Sequence, residues 1–217
     1  MTAARHGIAE VPAAGPVCEL SKQMLIGRGT KRECYTHPED PGLCLKVPRY
    51  AWQSACHEQN VIEWRYFQWL QKKQVPLKHA ARCAGWMHTD RGLALISERV
   101  RDQSGVNGVT LRDALLAGDV DLSQAHVMLD TLKQWALRYS VVIADLRSAN
   151  LLVQHAEDVH SLVFIDGLGG RRLDPRFTLY QHVPILARMK TRRQWQRQAA
   201  RTYAAIEAFS KGEEFRG

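Results

Sequence analysis

The stretch VVIADLRSANLLV, Val141–Val153, sets Asp145, Arg147 and Asn150 in a polar break between two apolar runs. An aspartate at a strand end can accept a proton from a hydroxyl group. An arginine two residues on can neutralise a phosphate in transfer. An asparagine carbonyl can serve a hard cation such as Mg²⁺. Downstream, VFIDGLGG ends an apolar run on Asp166, which is followed at once by glycine. A carboxylate there also suits a hard cation. Taken alone, either stretch matches an ordinary turn, because Asp, Asn and Gly dominate turns for local backbone reasons.

Two further residues need partners. Lys46 interrupts the apolar run LCLKV, Leu43–Val47. A buried ammonium is costly without a carboxylate or phosphate, although strand alternation also permits a lysine in solvent. Glu63 shares a face with Phe67 and Leu70 at i, i+4, i+7 spacing, so it is the acid expected to meet Lys46. Glu58 is the competitor, on a more polar face towards Arg65. Upstream, LIGRGTKRECY places Gly27 and Gly29 one residue apart, with Arg32 where a third glycine would complete GxGxxG. Paired glycines let backbone amides approach phosphate oxygens, but they are also common in hairpins.

Elements must position these groups. Met24–Ile26 and Leu43–Val47, separated by the breaker HPEDPG, suggest a small antiparallel sheet. Residues 57–73 predict a helix stopped by Val75-Pro76, and Gly92–Val100 a buried strand. Thr110 with Asp113 resembles a capping box, and Gly118 closes that short helix. Ser123–Tyr139 predicts a longer amphipathic helix. Leu151–Gln154 and Leu162–Ile165 predict a hairpin, and Met189–Phe209 a last helix with Arg193, Arg197 and Arg201 along one side. The order predicts an α+β protein, sheet-rich first and helix-rich second, dividing near Val100–Val109.

The chain has 217 residues, 45% of them hydrophobic and 24% charged, enough for one sizeable core. No apolar run reaches the ~18 residues of a membrane span. No secretory signal is read at the N-terminus, and residues 1–19 are expected to be a flexible leader. The five cysteines show no CxxC spacing, so reduced thiols in a cytoplasmic protein are expected. A net charge of +8 favours anionic partners: nucleotides, an acidic partner or an anionic membrane surface. On charge alone, a solvated cationic face explains it slightly better. No helix-turn-helix or zinc-finger pattern supports nucleic-acid binding.

The chain order of these pieces is that of the protein-kinase parts: Gly-rich turn, strand lysine, helix glutamate, Asp-x4-Asn, then strand-Asp-Gly. The sequence is similar to the YrbL family of PhoP regulatory network proteins, within the protein-kinase-like superfamily. The resemblance rests on IGRGTKRECYTHPEDPGLCLKV, EWRYFQWL, DLRSANLLV and VFIDGLGG, and covers Leu20 to Phe209. It implies a two-lobed kinase-like fold, with a β-rich N-lobe over 20–100 and a small, mainly helical C-lobe over 101–217, as one domain spanning 20–210. It implies ATP and Mg²⁺ as cofactors. Gly27 and Gly29 would cover the phosphates, and Lys46, paired with Glu63, would contact them. Cys44 and Leu152 would sandwich the adenine, and Glu98 would begin the hinge that reads its edge. Asp145 would be the base, Arg147 would stand where kinases often carry a phosphate-contacting lysine, and Asn150 and Asp166 would hold Mg²⁺.

The sequence departs from common protein kinases in several places. Ala144 precedes the base where they have arginine, and Asp166-Gly167-Leu168 lacks the middle phenylalanine. No Ala-Pro-Glu or long activation segment is present. Two readings follow: a phosphotransferase acting on a hydroxyl of a protein or glycan, or a kinase-like regulator of weak or absent catalysis that works through binding.

Overall fold

The computed structural model describes residues 15–50, 53–101, 105–156 and 159–213. Residues 1–14 of the expected leader and 102–104 of the expected boundary lie outside them. The protein is a mixed α+β chain, with a β-sheet N-terminal region and a largely helical C-terminal part. Among the described residues no helix is long and apolar enough to cross a membrane, and the five cysteines are free.

The N-terminal sheet is antiparallel, in the order β1-β2-β3-β5-β4. Its strands are β1 (Leu25–Arg28), β2 (Arg32–Thr36), β3 (Leu43–Pro48), β4 (Cys83–Thr89) and β5 (Gly92–Glu98). Successive side chains alternate between its faces. Tyr35, Leu45, Val47 and Ala94 point outward and are covered by Leu20, Met24 and Leu25. The fold begins before Leu20, because the Cys18 amide donates to the His88 carbonyl at 2.9 Å. Strand β4 is absent from the sequence expectation.

Helix α1 (Ser54–Lys72) joins the two regions through two apolar stripes. Phe67, with Val61 and Trp64, packs under the sheet against Trp86 and Leu95. Ile62, Tyr66 and Leu70 enter the main core beyond. The helix does not wait for Val75-Pro76 to stop. Gln74 adopts φ of +52°, and the Val75 amide donates to the Leu70 carbonyl at 3.0 Å, a Schellman ending.

The second region contains β6 (Val109–Thr110), α2 (Leu111–Ala117), α3 (Leu122–Arg138), β7 (Leu151–Ala156), β8 (Val159–Phe164), α4 (Pro175–His182) and α5 (Pro184–Ser210). Thr110 caps α2 by accepting from the Asp113 amide at 3.1 Å, and Gly118 ends it in the left-handed region. A capping box between Asp121 and Gln124 opens α3. Strands β7 and β8 pair from Leu151 with Phe164 to Ala156 with Val159. Leu132, Leu146, Leu151 and Ile206 are among the fully enclosed residues of this core. Each such side chain contributes about 1.5–3 kcal/mol through removal from water. The last helix begins at Pro184 rather than Met189, and the short α4 precedes it.

Candidate functional site

Strand alternation sends Cys34, Cys44 and Lys46 to the inner face of the sheet, towards α1. The Lys46 ammonium pairs with Glu63 Oε1, and it donates to the Ile165 carbonyl at 2.7 Å. One lysine thereby joins the sheet, α1 and the chain just past β8. Burial alone would pull the ammonium pKa down, and the adjacent Glu63 raises it above its ordinary value. Glu58, the competing acid, is used elsewhere: its Oε1 accepts from the Leu173 amide at 2.6 Å.

The segment 141–150 is held by backbone on one side and by α5 on the other. The amides of Ala144 and Asp145 both donate to the Gly167 carbonyl, at 2.8 and 3.0 Å. Thr191 Oγ1 donates to the Val141 carbonyl at 2.7 Å and accepts from the Ile143 amide at 3.2 Å. Gln194 donates to the Ala144 carbonyl at 3.0 Å, and Gln198 accepts from the Leu146 amide at 2.7 Å. These three α5 residues, spaced three and four apart, fix the loop that carries Asp145.

Asp145 Oδ2 pairs with Arg147 at 2.5 Å, while Oδ1 lies 3.5 Å from Arg171 and 3.4 Å from the Gln198 amide nitrogen. Both arginines are about two-thirds exposed and Asp145 is 14% exposed, so exposed cations frame an enclosed carboxylate. Gly167 locks the neighbouring loop. Its φ is +91°, and a Cβ there would lie 2.4 Å from the Asp145 carbonyl oxygen. No other residue type fits between Asp145 and Asp166 without moving one of them. Asn150 sits at the base of β7, where its carbonyl accepts from the Ile165 amide at 3.0 Å, one residue before Asp166.

The expected phosphate and adenine groups are placed as follows. Gly27, within β1, and Gly29, in the turn that follows, are both exposed. A Cβ on Gly27 would meet nothing closer than 4.0 Å, and one on Gly29 nothing closer than 3.4 Å. The fold itself therefore does not demand glycine at either position. Cys44 is buried in the five-stranded sheet and Leu152 is half-buried in the three-stranded one. Glu98 ends β5, and its side chain accepts from the Arg82 amide at 3.0 Å.

Sequence reasoning missed the role of Arg32. It is 9% exposed; one guanidinium nitrogen contacts Glu63 Oε2 at 2.6 Å and Asn60 Oδ1 at 2.9 Å, and the other contacts Asp166 Oδ2 at 2.9 Å. Asp166 Oδ1 accepts from the Gly167 amide at 2.7 Å and from Gln59 at 3.1 Å. Both Asp166 oxygens are thus taken by donors. The group expected to hold Mg²⁺, Asn150 with Asp166, thus offers a carboxylate whose two oxygens both already accept from protein donors. As arranged, the residues do not fit a metal ion on Asp166. Burial pushes the Asp166 carboxyl up, but Arg32, Lys46 and the Gly167 N–H together hold it below the usual carboxylate range.

The comparison with known families bears on the YrbL part of the resemblance. The chain belongs to the PhoP regulatory network protein YrbL family, whose model matches residues 18–203. It is similar to the protein called "Uncharacterized protein YrbL" of Escherichia coli (strain K12), with 26% identity over 190 residues, covering 86% of this chain and 89% of that one. The protein of the same name in Shigella flexneri matches with the same identity and coverage. The matched span includes Arg32, Lys46, Glu63, Asp145 and Asp166.

Proposed function

We propose that this chain is a kinase-like phosphotransferase with a β-rich N-lobe and a small helical C-lobe, which binds ATP between them. The observation that carries the reading is the buried Lys46–Glu63 pair, bonded across to Ile165 beside the clasped Asp145 and Asp166 loops. A buried lysine beside a triphosphate neutralises charge without the cost of an unpaired ammonium. The glycines at 27 and 29, not required by the fold, keep side chains away from the approach of phosphate oxygens, although the Gly29 amide itself donates to the Arg32 carbonyl.

In this reading Asp145 accepts the proton of an acceptor hydroxyl. The hydroxyl oxygen then bonds the γ-phosphorus as its bond to the β-γ bridging oxygen breaks, and ADP leaves. Arg147 and Arg171, free to swing, follow the charge of the moving phosphoryl group. No residue of this chain is assigned to Mg²⁺ in this step. The acceptor is a hydroxyl on a protein or glycan. The basic surface suits an acceptor that is acidic or lies at an anionic membrane surface.

A second reading has its own observation. Asp166 is bound to a guanidinium and Asp145 to Arg147. Such a closed arrangement also suits a regulator that works by binding, in keeping with the regulatory network named for the family.

Thermal denaturation with and without ATP tests the first reading. Saturating nucleotide should stabilise the fold by about 2–4 kcal/mol through mass action. Asp145→Asn should keep that shift and lose phosphoryl transfer by about 10²–10⁴-fold. No shift with ATP, with or without Mg²⁺, would sink both nucleotide binding and transfer. A shift without transfer to any hydroxyl acceptor would favour the regulator.

A further inference from the structure

Arg32 follows the glycine turn, at the place where a third glycine would leave the phosphate site open. Its guanidinium reaches inward from β2 instead, and it is built in rather than draped across the site. Asn60, one of its acceptors, is 1% exposed and is itself anchored, donating to the Lys46 carbonyl at 2.8 Å. The strand backbone is tied as well, because the Gly29 amide donates to the Arg32 carbonyl at 2.8 Å. Arg32 thus meets three acceptor residues, on α1 and just past β8, from a fixed starting point.

Charge gives the second argument. Lys46 and Arg32 balance Glu63 and Asp166 in one continuous set of ion pairs. With no nucleotide present, a divalent ion added to Asp166 would give this set two positive charges in excess, and three of its four members are less than one-fifth exposed. It would also have to take Oδ2 from Arg32, stranding a guanidinium that is nine-tenths enclosed. Geometry and charge therefore both work against the metal through the same residue.

We propose that Arg32 is the resident cation of this site, filling at Asp166 the place of a divalent ion and tying that loop to the Lys46–Glu63 pair. The site then takes the phosphates of a nucleoside triphosphate on Lys46 with no metal bound to Asp166. This last statement rests on the nucleotide reading above; the exclusion of metal by Arg32 does not.

The test uses the full chain and two probes. Mn²⁺ alone is titrated and its free signal followed by electron paramagnetic resonance. The wild type should leave the signal unchanged. Arg32→Gln, which frees Asp166 Oδ2 and Glu63 Oε2 to face one space, should take up Mn²⁺ and lose that uptake when Asp166→Asn is added. Uptake by the wild type that Asp166→Asn abolishes would overturn the proposal, and so would a folded Arg32→Gln that takes up none. ATP binding is then compared in chelator and in Mg²⁺. The wild-type affinity should differ by less than about threefold, whereas a gain of about tenfold or more in Mg²⁺ would overturn the metal-free site. Absence of ATP binding in both buffers would end the nucleotide reading and its metal-free corollary, leaving the Mn²⁺ result to judge Arg32. If Arg32→Gln does not fold, the wild-type measurements decide.

Discussion

Two adjacent residues of β2, Arg32 and Glu33, anchor ion clusters on opposite faces of one sheet. Inside, Arg32 and Lys46 meet Glu63 and Asp166, joining strand, helix and the loop beyond β8. Outside, Glu33 receives Arg28 at 2.8 Å, Arg91 at 2.5 Å and the Tyr35 hydroxyl at 2.8 Å. Every partner of Glu33 is on a strand of the same sheet or the β4–β5 turn. The outer acid is enclosed at 4% exposure, yet its cations are 57% and 37% exposed. The inner cations are both 9% exposed. The outer cluster can release its arginines to water. The inner one cannot, and it is the one that spans the two regions. Enclosure on both sides of the pair, more than the count of ion pairs, separates a cluster that fixes a site from one that trims a sheet.

That contrast is broken hardest at Glu63. Glu63→Ala leaves Arg32 and Lys46 enclosed with a shared partner gone, and loss of one member of a buried set costs about 3–5 kcal/mol. Urea denaturation should report a fall of this size. A loss below about 1 kcal/mol would mean that the inner cations escape to solvent as freely as the outer ones. Glu33→Ala should cost less, about 1–3 kcal/mol, because Arg28 and Arg91 rehydrate and mainly the enclosed Tyr35 hydroxyl loses an acceptor. The order of the two losses matters more than either value.

Acid unfolding sharpens the same contrast. Burial raises the Glu33 carboxyl, but the Tyr35 hydroxyl, Arg91 and Arg28 outweigh it and hold the group low. Asp166 is also held low, by Arg32 and Lys46 against its own burial. A carboxyl whose folded pKa is depressed stabilises the fold above its unfolded value, about 3.9 for Asp and 4.3 for Glu. That contribution fades as pH falls through the folded value. Stability measured below about pH 4 should therefore fall less steeply in Glu33→Gln and in Asp166→Asn than in the wild type. Asp166 is 37% exposed, so solvent screens its pairs more, and Glu33→Gln should flatten the slope further. The reverse order would place the stronger coupling inside.

The two clusters also differ in how far the sequence revealed them. Lys46 and Glu63 were legible because a lysine inside an apolar strand, and an acid on an apolar helix stripe, each violate a local pattern that one partner repairs. Arg32 was visible only as a missing glycine. Its acceptors lie on α1 and past β8, and no local period connects them. Glu33 looked like any strand glutamate, since its cation Arg91 arrives through strand β4 and the turn after it. That strand itself was hidden: Gly85 and a bulge near Cys83 blur the alternation of CAGWMHT. Of the helices, α2 announced its caps in Thr110, Asp113 and Gly118, whereas α3 was legible from its apolar face and not from its Asp121–Gln124 box. The start of α5 is marked by a proline at its first position, upstream of its apolar pattern. Its Thr191, Gln194 and Gln198 are periodic but polar, so an apolar pattern could not show that they hold the Asp145 loop.

The smallest expected effect is the most selective test of the contrast. Arg28 and Arg32 are both arginines on the β1–β2 hairpin, and each pairs with a largely enclosed glutamate. The side chain of Arg28 is 57% exposed, whereas that of Arg32 is 9% exposed. Removing Arg28 leaves Glu33 with Arg91 and Tyr35 still bonded. Arg28→Ala should therefore change stability by no more than about 0–1 kcal/mol, the range of an exposed ion pair, and the remaining loss should shrink further in high salt. Equal losses from Arg28→Ala and Arg32→Gln would show that enclosure does not set the value of these pairs. The distinction between the two faces of β2 would then rest on geometry alone.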